Sequence, residues 1–253
     1  MRRIMLRIAY DGTDYVGWQK QPNGLAVEEV LNKALRDLTG EQIEVIGASR
    51  TDSGVHALDN VAVFDTESPI PAKKFSFALN RRLPNSVVVR SSCEVKPNFH
   101  PRRVNCVKTY EYRIFNDEHP NPLNRRYTYF YHHDIDVDAM REAAKYLEGE
   151  HNFVTFCSAG AQVTTTVRTI YSAEVIKGTG YDDKCIIIRL KGNGFLYNMV
   201  RIIAGTLLQA GTHAIEPSRM AQIIESRDRG QAGPTLPPQG LTLVHIEYPE
   251  GSR

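Results

Sequence analysis

An order of elements that occurs twice along the chain constrains its fold more than any other feature. Residues 4–10 alternate apolar and polar side chains, the period of a strand. In residues 26–39, Val27, Val30, Leu31, Ala34, Leu35 and Leu38 recur at helical spacing, and Gly40 supplies the stop. Strands are expected over residues 42–46 and 58–64. A helix is expected over 71–82, with Pro71 in its first turn and Pro84 beyond its end, and a strand over 86–95. The order is β-α-β-β-α-β. It starts again with a strand over 105–115 and a helix over 137–147. Strands over 166–177 and 184–191 flank Gly178-Thr179-Gly180. An apolar helix over 195–210, a second helix over 217–226 and a closing strand over 241–248 complete it. The repeat is one of element order, not of letters. It is the split βαβ order of ferredoxin-like units, so an α+β protein of two ferredoxin-like halves with antiparallel sheets is expected. The division falls at residues 1–100 and 101–253, near Pro97 and Pro101.

Composition narrows the function classes without choosing one. The chain has 253 residues and a formal net charge of +2. That charge does not by itself argue for nucleic acid, because a binding face can be positive on a nearly neutral protein. No apolar run approaches the ~20 residues that span a bilayer, and Arg7 interrupts the N-terminal run, so no membrane segment or signal peptide is expected. Cys93, Cys106, Cys157 and Cys185 are far apart and form no Cys-x-x-Cys pair, so free thiols in a reducing cytoplasm are expected. His132-His133 lacks acidic ligand spacing, and there is no Walker or Rossmann phosphate loop, so neither metal nor cofactor is expected.

Three places carry chemistry-bearing residues in unusual settings. Between two strand-like stretches lies Ser49-Arg50-Thr51-Asp52-Ser53-Gly54-Val55-His56. Asp52 with Gly54 reads as an ordinary turn. It also reads as a carboxylate, with Arg50 and His56 beside it, on a loop between rigid strands, able to act as nucleophile or base. Arg201 lies in a largely apolar helix with Tyr197, Ala204 and Leu208 on its face. Such a charge either finds a carboxylate on another element or extends to solvent. Tyr110 and Tyr112 share one face of a strand beside Lys108, with Glu111 and Arg113 on the other. Paired aromatics of this kind pack a sheet or stack on an extruded base. Basic residues recur near aromatics, at Lys20 beside Trp18, at Arg81-Arg82, at Arg102-Arg103 and at Arg125-Arg126. Each reads as a solvated surface, and together they suit a phosphate-binding cleft.

These residues, taken in order, resemble the bacterial tRNA pseudouridine synthase I (TruA) family over nearly the whole length. The likeness is carried by Tyr10-Asp11-Gly12, Gly17-Trp18-Gln19-Lys20-Gln21 and the loop from Arg50 to Ala57. It continues through Leu79-Asn80, Phe99-His100, Lys108 to Tyr112, Val167-Arg168, Gly194 to Tyr197, Met199-Val200-Arg201 and Gly233-Pro234-Thr235. The resemblance implies an isomerase, acting as a cytoplasmic homodimer without metal or cofactor. It would convert uridine to pseudouridine in the tRNA anticodon stem-loop, at tRNA positions 38, 39 and 40. It implies that Asp52 is catalytic and Arg201 its ion-pair partner. Tyr110 would stack on the target base, and Arg50 would fill the space that base leaves. His56 and Lys20 join them on the substrate side, and the two halves would face a central basic cleft. Ser49, Glu28 and Asp59-Asn60 depart from the family's usual Gly, Gln and Gly-Gln. The sequence leaves open whether Asp52 attacks C6, attacks C1′ or removes a C2′ proton. A non-catalytic RNA-binding module, a hydrolase using Asp52 and His56, and the same isomerisation at other RNA sites are the competing readings.

Overall fold

The structure is a computed structural model that describes residues 1–160 and 163–252. It is a mixed α+β fold, and its contacts divide it into two compact units, Met1–Cys106 with Leu243–Arg253, and Val107–Thr242. The expected division gave all of 101–253 to the second half. Here the last strand belongs instead with the first unit, and the boundary falls after Cys106 rather than at residue 100.

The first unit is built on β1 (Arg2–Tyr10), α1 (Val27–Thr39), β2 (Ile46–Gly47), β3 (His56–Thr66), α2 (Phe75–Asn80) and β4 (Val87–Val95). β1 is central and antiparallel to both β3 and β4, and β2 adds to β3. The strand order is therefore β4-β1-β3-β2. Alternation along β1 buries Ile4, Leu6 and Ile8, where Val27, Leu31 and Leu35 of α1 and Phe75 and Leu79 of α2 are also buried. Phe64 and Phe75 meet edge to face, their centroids 5.3 Å apart. α1 begins where Glu29 reaches back to the Ala26 N–H and ends at Gly40, whose φ of 77° leaves the helix.

Two expected elements are shorter than their sequence pattern. The strand expected over 42–46 is reduced to Ile46–Gly47, because the Val45 N–H is taken by the Asn32 side chain of α1. The helix expected over 71–82 is a 3-10 turn at Ala72–Lys74 followed by α2.

The second unit comprises β5 (Val107–Asn116), β6 (Tyr129–Tyr131), α3 (Val137–Lys145), β7 (Gly149–Asn152), β8 (Val167–Lys177), β9 (Cys185–Gly192), α4 (Met199–Gly211) and α5 (Arg219–Ser226). Its strands run β5-β9-β8-β7, all antiparallel, with β6 parallel on the other side of β5. β6 and β7 have too few residues to show a period, and the sequence pattern does not reveal them. Alternation on β5 buries Tyr110, Tyr112 and Ile114 on one face. On the other, Glu111 accepts from Arg189 at 2.9 and 2.8 Å and from Arg113 at 3.2 Å. Met140, Ala143, Ile202, Ile203 and Leu207 of α3 and α4 are wholly buried. α4 starts at Met199 rather than 195, because Asn198 has φ 59°, a left-handed conformation that no helix interior accommodates.

The final strand, β10 (Leu241–Glu247), lies next to β3. Asp59 of β3 binds both Arg7 of β1 and His245 of β10, and Arg7 also donates to the Ile246 carbonyl. No helix among the described residues is long and apolar enough to cross a membrane.

Two contacts yield tests of this packing. Gly205 of α4 lets the segment at 233–236 approach closely: a Cβ there would stand 2.0 Å from the Pro234 carbonyl oxygen, and Gly233 donates to Thr206 Oγ1 at 2.9 Å. Gly205→Ala is expected to destabilise the protein by about 1–3 kcal/mol in denaturant unfolding, and unchanged unfolding would contradict the contact. Arg3 and Asp65 face each other across β1 and β3, joined at 2.8 and 2.6 Å. The hydrogen bond from Arg3, opposed by burial, holds the Asp65 carboxyl below the usual carboxylate range. The folded chain therefore takes up this proton at lower pH than the unfolded chain. The stabilisation, about 1 kcal/mol or less for a partly exposed pair, is present above roughly pH 4 and is lost as pH falls further. Asp65→Asn is expected to flatten that part of the acid-unfolding curve.

Candidate active site

β2 ends at Gly47 and β3 begins at His56, so residues 48–55 form the connection that holds Arg50 and Asp52. The sequence reads this stretch as a turn or as a site, and its backbone is held from inside the unit at almost every step. Asn60 of β3 is wholly buried, and its Nδ2 donates to the Ser49 carbonyl at 3.0 Å and to the Tyr10 hydroxyl at 3.2 Å. The Tyr10 hydroxyl also shares a hydrogen bond with Thr51 Oγ1, 2.8 Å away. The residues before and after Arg50 are thus both buried and tied to one Asn–Tyr pair, while Arg50 itself is exposed.

The segment after β1 wraps the rest of the loop. Trp18 N–H donates to the Thr51 carbonyl at 3.0 Å. The Tyr15 carbonyl accepts from Gly54 N–H at 3.2 Å and from Ser53 Oγ at 3.3 Å. Val55 N–H closes the turn on the Asp52 carbonyl at 3.1 Å. Gly17, at φ 112°, is required there, because a Cβ would lie 2.5 Å from the Thr51 carbonyl oxygen. His56 is buried, and its Nδ1 accepts from Gly12 N–H at 3.0 Å. That bond puts the ring proton on Nε2 and makes His56 a holder of the loop. The Asp11 carboxylate lies 3.3 Å from the same nitrogen, and an ion pair there would require His56 to give up the Gly12 bond. Asp52 is half-buried.

The surroundings of Arg50 are basic. Arg102 has its charge disfavoured first by partial burial and then by Arg50, with Glu28 opposing and Arg103 adding to the effect. Lys20 lies outside the held segment. It is exposed, its N–H donates to Glu28 Oε1 at 2.6 Å, and its ammonium is 3.8 Å from Glu29. The departures from the family pattern are all engaged: Asn60 with Ser49, Glu28 with Lys20, and Asp59 with Arg7 and His245.

In the second unit, β5 places Tyr110 and Tyr112 two residues apart on the buried face. Tyr110 packs edge to face on Phe195, with centroids 5.1 Å apart and planes at 76°. Tyr112 donates its hydroxyl to the Pro237 carbonyl at 2.8 Å. Burial pushes its phenol far above the usual range, against the pull of the nearby Arg201 charge. Arg201, on the first turn of α4, is half-buried. Its Nε donates to the Leu236 carbonyl at 2.7 Å and its Nη1 to Asn198 Oδ1 at 2.7 Å. Arg201 and Tyr110 thus share the second unit, and Arg50, Asp52, His56 and Lys20 share the first.

The sequence shows Tyr10 and Asn60 only as points of likeness to and departure from the family, without the bonds they make, and does not single out Asn198. The first two read as strand positions, although an asparagine among the apolar residues of β3 is itself a signal. Asn198 was hidden inside an apolar run. The Tyr10–Thr51 bond gives a test. Tyr10→Phe is expected to cost about 1–2 kcal/mol in denaturant unfolding. Thr51→Val is expected to cost less in that background than alone, since the two share one bond. Additive effects would contradict it.

The chain matches the family model described as tRNA pseudouridine synthase over residues 7–102 and 143–249. It is 46% identical over 248 residues to a protein named tRNA pseudouridine synthase A from Caldicellulosiruptor bescii. It is 47% identical over 248 residues to one of the same name from Acetivibrio thermocellus, and 48% identical over 248 residues to one from Ruminiclostridium cellulolyticum. Each match covers 98% of this chain and 100% of the relative.

Proposed function

The chain belongs to the tRNA pseudouridine synthase family, and we propose that Asp52 is the group that acts on the uridine. The protein is an isomerase that converts uridine to pseudouridine in tRNA. The observation that carries the role of Asp52 is the density of bonds fixing the backbone around it. Both neighbours of Arg50 are tied down, and the turn itself is closed on the Asp52 carbonyl. A surface turn needs no such support, whereas a reacting carboxylate does.

The reaction breaks the N1–C1′ bond, turns the uracil and joins C5 to C1′. The C5 hydrogen leaves as a proton and N1 takes one up, so atoms balance without a co-reactant. The base must leave the helical stack to be reached, at a cost of a few kcal/mol. In this reading Tyr110, braced by Phe195, stacks on the extruded base. Arg50, exposed on a fixed backbone, takes the space it leaves. Asp52 must be ionised to act as nucleophile or base, and pairing with Arg201 keeps it so. Nε of Arg201 is committed to Leu236, so the carboxylate is met through the Nη groups. His56 keeps the loop in place, and Lys20 and Arg102 contribute to the charge that attracts phosphate.

The order β4-β1-β3-β2 in the first unit supports a ferredoxin-like reading of that half. We extend the reading to two such halves, the first unit carrying Asp52 and the second carrying Tyr110 and Arg201, around a central basic cleft. The anticodon stem-loop is the proposed substrate region, and a cytoplasmic homodimer the proposed working form.

The test is tritium release from tRNA labelled at uridine C5. The wild type is expected to release tritium from the anticodon arm, and Asp52→Asn to do so roughly a thousandfold or more slowly. Release by Asp52→Asn at the wild-type rate would remove Asp52 from the chemistry. Release only from sites outside the anticodon arm would overturn the proposed substrate region.

A further inference from the structure

We propose that Asn198 is a positioning residue, which fixes the Arg201 guanidinium in the orientation from which it meets the catalytic carboxylate. This inference rests on the reading above that Arg201 pairs with Asp52.

Asn198 immediately precedes α4 with φ 59° and ψ 7°. A left-handed backbone is unfavourable for an L-residue, and glycine adopts it with least strain. Asparagine enters it more readily than most residues, and its side chain brings what glycine cannot. Here the contribution is a pair of bonds with opposite polarity. Asn198 Oδ1 accepts from Arg201 Nη1 at 2.7 Å, and Asn198 Nδ2 donates to Ser158 Oγ at 3.0 Å. A guanidinium can only donate, so the Arg201 bond settles which end of the amide faces the arginine, and the other end is left to donate to Ser158. Ser158 is in turn held by its own N–H, which donates to the Tyr197 carbonyl at 3.2 Å.

The guanidinium is gripped on a second corner by the Leu236 carbonyl on Nε, and the Leu236 N–H returns a bond to the Arg201 carbonyl at 3.3 Å. Two bonds at adjacent corners of a planar group fix its plane, not only its position. The chemistry of the acceptor matters as well. Both acceptors are neutral, so they orient the cation without competing for its charge. An aspartate at 198 would accept the same hydrogen bond and would also draw the arginine away from a second carboxylate.

The test uses the full-length protein with unmodified tRNA. Single-turnover pseudouridine formation, tRNA Kd and the unfolding midpoint are measured for Asn198→Gly, Asn198→Asp, Ser158→Ala and Arg201→Gln. Asn198→Gly keeps the left-handed backbone and removes the amide. It is expected to leave the midpoint and the tRNA Kd unchanged and to slow the single-turnover step by roughly 10- to 100-fold. Asn198→Asp is expected to be at least as slow, although it retains an acceptor. Ser158→Ala is expected to show a smaller fall in the same direction. If Asn198→Gly turns over at the wild-type rate while Arg201→Gln is slow, the positioning role is overturned and the Asp52–Arg201 reading stands. If Arg201→Gln itself turns over at the wild-type rate, that reading fails and the inference falls with it. Should Asn198→Gly fail to fold, Ser158→Ala decides, since it leaves the backbone alone, and a wild-type rate there overturns the proposal.

Discussion

The bonds from Asn60 and Tyr10 to the residues on either side of Arg50 are the constraint on which the first unit's chemistry depends. A loop between two strands is ordinarily mobile and variable. This one is tied at Ser49 by a buried amide and at Thr51 by a buried phenol. It is then overlaid by the segment that ends at Trp18. Each of those groups would be costly to bury alone. Together they satisfy one another, so the cost of burying polar atoms is offset by the rigidity they confer on the loop. Arg50 and Asp52 are short excursions from a backbone that belongs to the core.

The second unit uses the same principle on a single side chain. A charge on an apolar helix is tolerated because its donors are assigned: one to the Leu236 carbonyl and one to Asn198. The segment supplying Leu236 is itself held to α4 by the close approach at Gly205 and the bond from Gly233 to Thr206. Tyr112 joins the arrangement through Pro237, so a strand, a helix start and a connecting segment converge on one guanidinium. Orientation of that group is built from a backbone carbonyl and a neutral amide.

The long, strongly periodic elements were legible in the sequence. β1, α1, β3, β4, β5, β8, β9 and β10 lie within a few residues of their expected positions, because alternation and helical spacing report burial directly. Elements whose limits are set by tertiary contacts were not legible. Asn32 shortens β2 from another element, and Asn198 delays α4 by adopting a left-handed backbone inside an apolar run. The strand β10 carried a clear pattern, but nothing in the pattern says which unit it joins. Within the candidate site, Arg201 stood out by its apolar setting, whereas the residues alone left Asp52 as a turn or a base and Tyr110 as packing or stacking, and their proposed roles came from the family resemblance. Tyr10 and Asn60 did not stand out, because a buried hydrogen bond leaves no mark in residue spacing.

The proposed function depends most on a pairing in which Arg201 holds the Asp52 carboxylate ionised. Carboxyl-carbon NMR of Asp52 across the acid range, in the wild type and in Arg201→Gln, tests it directly. The proposed pairing predicts a wild-type midpoint below the ordinary aspartate value of about 3.9, moving upward in Arg201→Gln. Equal midpoints in the two proteins would contradict it.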